Sequence, residues 1–279
     1  MAVERTDNSP YSSLWREWVL PCLRGPLAAL AEVGMLARMA GQALRAMLRP
    51  PFRWRLVVEA MEFIGLGSVF LITLTSFFVG MVFGLQLVDG FKKLGVENQT
   101  GSVIGLALTR ELAPVFSALM VTSRAGSAIA TELGSMRVSR QIDALITLSV
   151  NPVQYLVVPR LLAGVTMVPV LTMLFNVVGL GGAWFVCVEL LHLDPGIFID
   201  KVRWYTDGFD LLQGLSKAAV FGLVISLVAC RQGYYASGGA KGVGQATNRA
   251  VVHAAVAVLL LDYVLTGIIL ELFDARDFH

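Results

Sequence analysis

Three ionisable residues that could do chemistry in this 279-residue sequence lie inside apolar segments. Arg110 and Glu111 interrupt one such segment, and Asp262 lies near the middle of another. A charge at membrane depth costs several kcal/mol unless it is paired or faces a cavity. The three residues therefore form a candidate internal site, in which a cation such as Arg110 or Arg124 would pair with Asp262. The alternative is that Arg110 and Glu111 lie at the membrane surface and extend their charges into water.

Carboxylates inside a membrane are also typical of proton-coupled transport. A secondary transporter that uses Glu111 and Asp262 is therefore a second hypothesis from the same residues. It predicts inverted repeats and broken spans, and the sequence shows no repeat.

No set of residues in the sequence favours an enzyme. The HExxH, GxSxG and CxxC motifs do not occur, and the three histidines are too scattered to predict a metal site. The glycine-rich stretch 233–241 has Gly239 where a phosphate-binding loop requires lysine, so it is interpreted as a connector. We expect no catalytic residue, metal or cofactor in this chain, and any ATP to be bound by a partner.

Membrane-spanning helices must position these residues, because 56% of the sequence is hydrophobic and only 15% is charged. The basic residues are not gathered into a stripe, so nucleic acid is not an expected partner. Long apolar segments predict an all-α integral membrane protein with about five transmembrane helices. These segments cover residues 63–88, 103–128, 161–188, 211–230 and 250–272.

The amino-terminal part, residues 13–49, predicts an amphipathic helix that lies along the membrane interface. Its basic face carries Arg38, Arg45 and Arg49, and the apolar side chains roughly opposite are Val33, Ala37, Ala40, Leu44 and Met47. The alternative is a helix that packs on another element. The chain is thus divided into an amino-terminal cytoplasmic segment, 1–54, and a transmembrane domain, 55–279.

Charge distribution predicts the orientation of the spans. Residues 124–160 alternate charged and apolar side chains, which predicts a cytoplasmic helix between the second and third spans. Lys and Arg are concentrated in this segment, in the loop 231–249 and before the first span. That face is cytoplasmic by the positive-inside rule. With five spans, the amino terminus is then inside and the carboxyl terminus outside.

Several motifs carry a specific resemblance over most of residues 60–272. They are Gly80-Met-Val-Phe-Gly84-Leu-Gln86, Arg110-Glu111-Leu-Ala-Pro114-Val, Ser123-Arg124-Ala-Gly126-Ser127, Glu132-Leu-Gly134-Ser-Met136-Arg137, Gln141-Ile-Asp143, Asn151-Pro152, Val158-Pro159-Arg160, Thr247-Asn-Arg249 and Leu261-Asp262. In these motifs the sequence resembles the MlaE/YrbE family of permeases, which belong to MCE-type ABC lipid transporters.

The resemblance implies a homodimeric inner-membrane permease. Each copy would bind one cytoplasmic ATPase, and an MCE-domain lipid-binding protein would join the outer side. The family moves phospholipid or a related lipid between the inner membrane and the outer envelope. A helix over residues 131–148 would be the coupling helix that enters a groove of the ATPase. Its candidate contacts are Glu132, Met136, Arg137 and Arg140.

The resemblance also implies a lipid pocket at the dimer interface, on the outer half of the first span and the start of the second. The positions that carry over are Phe83, Leu87, Phe91, Leu94 and Glu111. Their chemistry is compatible with this role, because an apolar wall accepts acyl chains and one polar group at the rim can contact the head group.

Overall fold

The computed structural model describes residues 20–47 and 53–274, and all regular structure in these two ranges is helical. Within them, five helical segments are long and apolar enough to cross a membrane. They are Trp54–Lys92, Glu97–Val138, Val153–Leu190, Gly208–Tyr234 and Gly239–Glu271. The predicted all-α, multi-pass membrane architecture is therefore confirmed.

Several of these spans are composed of more than one helix. In chain order, the α-helices are α1 (Leu20–Met47), α2 (Trp54–Ile64), α3 (Leu66–Lys92), α4 (Thr100–Ala107), α5 (Ala113–Val121), α6 (Ser127–Val138), α7 (Gln141–Thr147), α8 (Val158–Trp184), α9 (Pro195–Tyr205), α10 (Gly208–Tyr234) and α11 (Gly239–Asp274). Short π-helical turns join α4 to α5 and α5 to α6, so the second span is one continuous helical rod.

The segment between the second and third spans differs from its prediction. The sequence predicts one helix over 131–148, but α6 continues the second span to Val138 and a separate α7 begins at Gln141. The break is at Arg140, whose φ of 60° is left-handed and cannot continue a right-handed helix. The segment predicted as one coupling helix is therefore two separate helices.

The predicted glycine-rich loop 231–249 is mostly helical. Helix α10 continues to Tyr234, and α11 begins again at Gly239. The short turn between them needs glycine, because Gly238 and Gly239 have φ values of 92° and 68°.

Glycines bring the first and third spans into backbone contact. A Cβ atom on Gly80 of α3 would lie 1.9 Å from the carbonyl oxygen of Gly179 on α8. Similarly, a Cβ on Gly182 would lie 2.4 Å from the carbonyl oxygen of Phe77. Gly179 and Gly182 therefore allow the two helices to pack in close contact.

Helix α1 packs on the bundle and also keeps an exposed apolar face. Met39, Ala43 and Ala46 are buried in the main hydrophobic core, whereas Leu44 and Val33 are more than 60% exposed. Glu32 holds the helix to the bundle through a 3.5 Å ion pair with Arg231 and a 3.0 Å contact with His253. The exposed face suits a membrane interface, and that location stays a prediction. Arg49 lies outside the described residues.

Candidate functional site

A buried lysine that the sequence analysis missed lies at the centre of the charged residues. Lys217 is on α10, and its side chain has no exposed surface. Its ammonium group donates to Glu111 Oε2 at 2.7 Å, to Asp262 Oδ1 at 3.2 Å and to Thr266 Oγ1 at 2.7 Å. Asp262 is therefore paired with Lys217 rather than with Arg110 or Arg124.

The geometry of this group explains how a cation is tolerated there. An ammonium has three donors, and each has an acceptor among the residues that surround Lys217. The two carboxylates also compensate its charge, which is the condition for keeping an ion inside an apolar bundle. We call Lys217, Glu111, Asp262 and Thr266 the lysine cluster.

Local backbone features in the second span place Glu111 beside α10. Arg110 and Glu111 lie in the π-helical turn Leu108–Leu112, and such turns occur frequently at functional sites. One turn before Lys217, a Cβ on Gly214 would lie 2.2 Å from the carbonyl oxygen of Thr109. The absence of a side chain at Gly214 thus lets α10 approach closely enough for Lys217 to reach Glu111.

A second ion pair lies next to the lysine cluster. Arg110 donates to Asp210 Oδ1 from Nη2 at 2.6 Å and from Nε at 2.7 Å. The side chain of Asp210 is only 5% exposed, and its other oxygen accepts from the backbone N–H of Asp207 to cap α10. Together, two cations face three carboxylates, so the combined group carries one formal negative charge in excess.

Substitution of Arg110 with Gln is expected to lower the free energy of unfolding by about 2 kcal/mol, because it leaves the buried Asp210 carboxylate without a cation. Chemical denaturation in detergent micelles measures the change. The matched control is Arg55→Gln, since the pair of Arg55 with Glu59 is exposed and should contribute less than about 1 kcal/mol. Equal effects of the two substitutions would contradict a structural role for the Arg110–Asp210 pair.

Arg124 has a different, structural position. Its guanidinium donates to the carbonyl oxygen of Phe63 and lies 5.0 Å from the centre of the Phe63 ring. This contact is at the break between α2 and α3, where Gly65 separates the two helices. A Cβ on Gly67 would overlap the guanidinium, so the glycine makes room for it. Arg124 therefore satisfies the backbone at the helix break.

The family model described as Permease MlaE matches residues 57–268. The chain belongs to the MlaE permease family.

Curated relatives agree with this assignment. A probable ABC transporter permease protein from Rickettsia felis is 39% identical over 84% of this chain and 91% of its own length. The intermembrane phospholipid transport system permease protein MlaE from Haemophilus influenzae is 37% identical over 76% of this chain and 82% of its own. The chloroplastic protein trigalactosyldiacylglycerol 1 from Arabidopsis thaliana is 34% identical over 93% and 69%, respectively.

The residues that the MlaE resemblance assigns to lipid lie in two places. Phe83, Leu87 and Phe91 are half-buried at one-turn spacing along α3, and Leu94 after the helix is 72% exposed. Glu111 instead binds Lys217 and Thr266 from the fourth and fifth spans. Their role in lipid binding stays a prediction.

The apolar positions on α3 and the lysine cluster can be compared by their depth along the membrane axis. Thr75 Oγ1 lies 3.8 Å from Met120 Sδ, and the first two spans run antiparallel because a short link joins them. Phe83 comes eight residues after Thr75, and Leu112 comes eight residues before Met120. Because the helices are antiparallel, Phe83 lies at about the depth of Leu112. Of the apolar positions on α3, Phe83 therefore lies near the level of Glu111, and Leu87 and Phe91 follow about one and two helical turns further along the helix.

The residues that the MlaE resemblance assigns to ATPase coupling lie at the end of the second span. Glu132 pairs with Arg160 at 2.8 Å, and Arg137 pairs with Asp143 of α7 at 2.6 Å. Met136 is half-buried, whereas Arg140 is exposed at the left-handed turn. The Arg137–Asp143 pair fixes α7 relative to α6, although the role of this segment in coupling stays a prediction.

Proposed function

We propose that this chain is the membrane-spanning permease subunit of an ABC transporter that moves phospholipid, or a related lipid, between the inner membrane and the outer envelope. Membership of the MlaE permease family supports this proposal, as do relatives that are named as ABC transporter and phospholipid transport permeases. The observation that carries it in the structure is the lysine cluster, a polar group built from three different spans inside an apolar bundle.

In this proposal the lysine cluster faces the lipid head group. Glu111 keeps 38% of its side chain exposed, whereas Lys217 has none exposed and Asp262 has 20%. Glu111 is therefore the member through which the cluster can contact a ligand. Phe83, near the level of Glu111, and Leu87, one turn further along α3, offer an apolar wall to the acyl chains.

The remaining parts of the assembly belong to the same proposal. The permease acts as a homodimer in the inner membrane, with its amino terminus in the cytoplasm and its carboxyl terminus in the periplasm. A separate cytoplasmic ABC ATPase binds and hydrolyses ATP, because the sequence offers no phosphate-binding loop. An MCE-domain lipid-binding protein completes the path on the outer side. The exposed apolar surface of α11 is consistent with a partner helix in the membrane.

Proton-coupled secondary transport by Glu111 and Asp262 is less well supported. Family membership favours the ABC permease. In addition, both carboxylates contact Lys217, a cation that offsets one of their two charges without any transported proton.

Purification of the chain from native membranes in mild detergent, followed by mass spectrometry, tests the proposal. We expect an ABC ATPase, an MCE-domain protein and bound phospholipid to accompany the permease. Reconstitution of the purified complex should then show lipid transfer that requires ATP. An isolated oligomer that transports in response to a pH gradient without ATP would support the secondary transporter instead.

A charge reversal tests the coupling segment. The double substitution Arg137→Glu with Arg140→Glu is expected to abolish ATP-driven lipid transfer while the permease stays folded, because like charges across an interface cost several kcal/mol. ATP hydrolysis and lipid transfer are measured together in the reconstituted complex.

The matched control for this reversal is Asp143→Ala. It breaks the Arg137–Asp143 ion pair without reversing a charge on Arg137. We expect this control to retain most of the transfer. If the double substitution left transfer and ATPase binding intact, these two arginines would not be part of the coupling surface.

A further inference from the structure

An apolar crevice lies beside the end of the third span and shares no residue with the lysine cluster. It has a volume of about 290 Å³ and lies between α8 and α9. Gly181 and Trp184 of α8 form one wall, and Phe198, Val202 and Arg203 of α9 form the other. Apart from Arg203, the side chains that line it are apolar.

The crevice exists because one glycine faces open space. Gly179 and Gly182 contact the backbone of α3, but a Cβ on Gly181, between them, would meet no atom within 4 Å. The missing side chain leaves a depression in an otherwise apolar helix surface.

Helix α9 is firmly placed over this depression. Its Phe198 is only 5% exposed, and the carbonyl oxygen of Phe198 lies 2.6 Å from where a Cβ on Gly101 would be. At the start of α9, Asp194 caps the helix by accepting from the backbone N–H of Ile197. The crevice is therefore bounded by two well-packed helices.

The rim of the crevice has the chemistry of a membrane surface. Arg203 is exposed at the crevice and also lines a neighbouring recess on α9. In that recess Trp204 is 77% exposed, and the ammonium of Lys201 lies 5.6 Å from the centre of the Tyr205 ring. Tryptophan and tyrosine concentrate at the level of lipid head groups, and a guanidinium binds phosphate through paired donors. Arg203 is the charged residue that lines the crevice, so its guanidinium is the group that favours an anion there.

We propose that this crevice is a binding site for a membrane phospholipid with an anionic head group. One acyl chain lies in the depression over Gly181, and the phosphate binds Arg203 at the rim. The site is separate from the lysine cluster, and the proposal does not depend on transport.

Fluorescence quenching in vesicles tests this site in the full-length chain. Of the five tryptophans, only Trp184 is retained, and the others are replaced by phenylalanine. The protein is reconstituted in phosphatidylcholine containing increasing fractions of phosphatidylglycerol with brominated acyl chains. We expect the quenching of Trp184 to saturate at a low fraction of the brominated lipid.

Two pairs of variants test the acyl-chain contact and the head-group contact separately. Gly181→Leu should fill the depression and remove the saturable quenching, whereas Gly181→Ala, which adds one methyl group into open space, should retain it. Arg203→Gln should weaken the preference for phosphatidylglycerol about fivefold, as expected for the loss of one basic residue at a membrane surface. Arg203→Lys keeps the charge and should keep most of the preference.

Two results would overturn the proposal. Quenching that rises in proportion to the brominated fraction, equally in every variant, would mean that Trp184 contacts only bulk lipid. No quenching at any fraction would mean that protein, such as a second copy of the chain, covers the crevice.

Discussion

Substitution of Lys217 with Met is expected to abolish lipid transfer and to lower the free energy of unfolding by about 3 kcal/mol. The substitution keeps a long apolar side chain but removes the cation that Glu111 and Asp262 share. Removing one partner of a buried ion pair costs about 3–5 kcal/mol, and the lower end applies here because Glu111 is 38% exposed. Chemical denaturation in micelles measures stability, and ATP-dependent transfer in vesicles measures function.

A neutral version of the lysine cluster separates stability from function. The triple variant Lys217→Met, Glu111→Gln and Asp262→Asn removes the cation and both carboxylates together. Because no charge is left unpaired within the cluster, it should recover much of the lost stability. It should still fail to transfer lipid if the charges contact the head group. Recovery of transfer in this variant would show that the cluster serves folding alone.

The membrane-spanning architecture could be predicted from the sequence because the bilayer fixes how long an apolar segment must be. The residues at which the helices end could not be predicted in this way. The second span reads as ending at 128, yet its helix continues to Val138 through Glu132 and Arg137. Charged residues do not interrupt a helix that leaves the membrane, since their side chains reach water or pair with one another. Hydropathy therefore locates the membrane, and not the ends of the helices.

Part of the lysine cluster could be predicted from the sequence. Glu111 and Asp262 stand out as carboxylates in apolar segments, and Lys217 is likewise the only basic residue within the apolar run 211–230. The rule that a charge at membrane depth must be paired or face a cavity applies to Lys217 as well, and it identifies this residue as a candidate. The pairing itself could not be predicted, because its members come from three spans that lie far apart in the chain.

Some backbone features had no sequence signal. Arg140 occupies a left-handed conformation that is uncommon for residues other than glycine, so nothing in the charge pattern indicates that α6 and α7 are separate. By contrast, glycines within a span, such as those of the third span, are a sequence signal for close helix contact. Which of them face a helix and which faces open space depends on how α8 is rotated against its neighbours, and that is known only once the bundle is assembled.

The close contact between the first and third spans predicts that one methyl group has opposite effects at two glycines of the same helix. Gly80→Ala is expected to destabilise the protein by about 3 kcal/mol, because its Cβ would lie 1.9 Å from the carbonyl oxygen of Gly179 and force α3 and α8 apart. Gly90→Ala meets no atom within 4 Å, so it should stabilise α3 by up to about 1 kcal/mol through helix propensity. Denaturation of both variants in micelles measures the difference. Stabilisation by Gly80→Ala would show that the two helices are not in backbone contact at this point, because a helix without a close neighbour gains from alanine wherever it is placed.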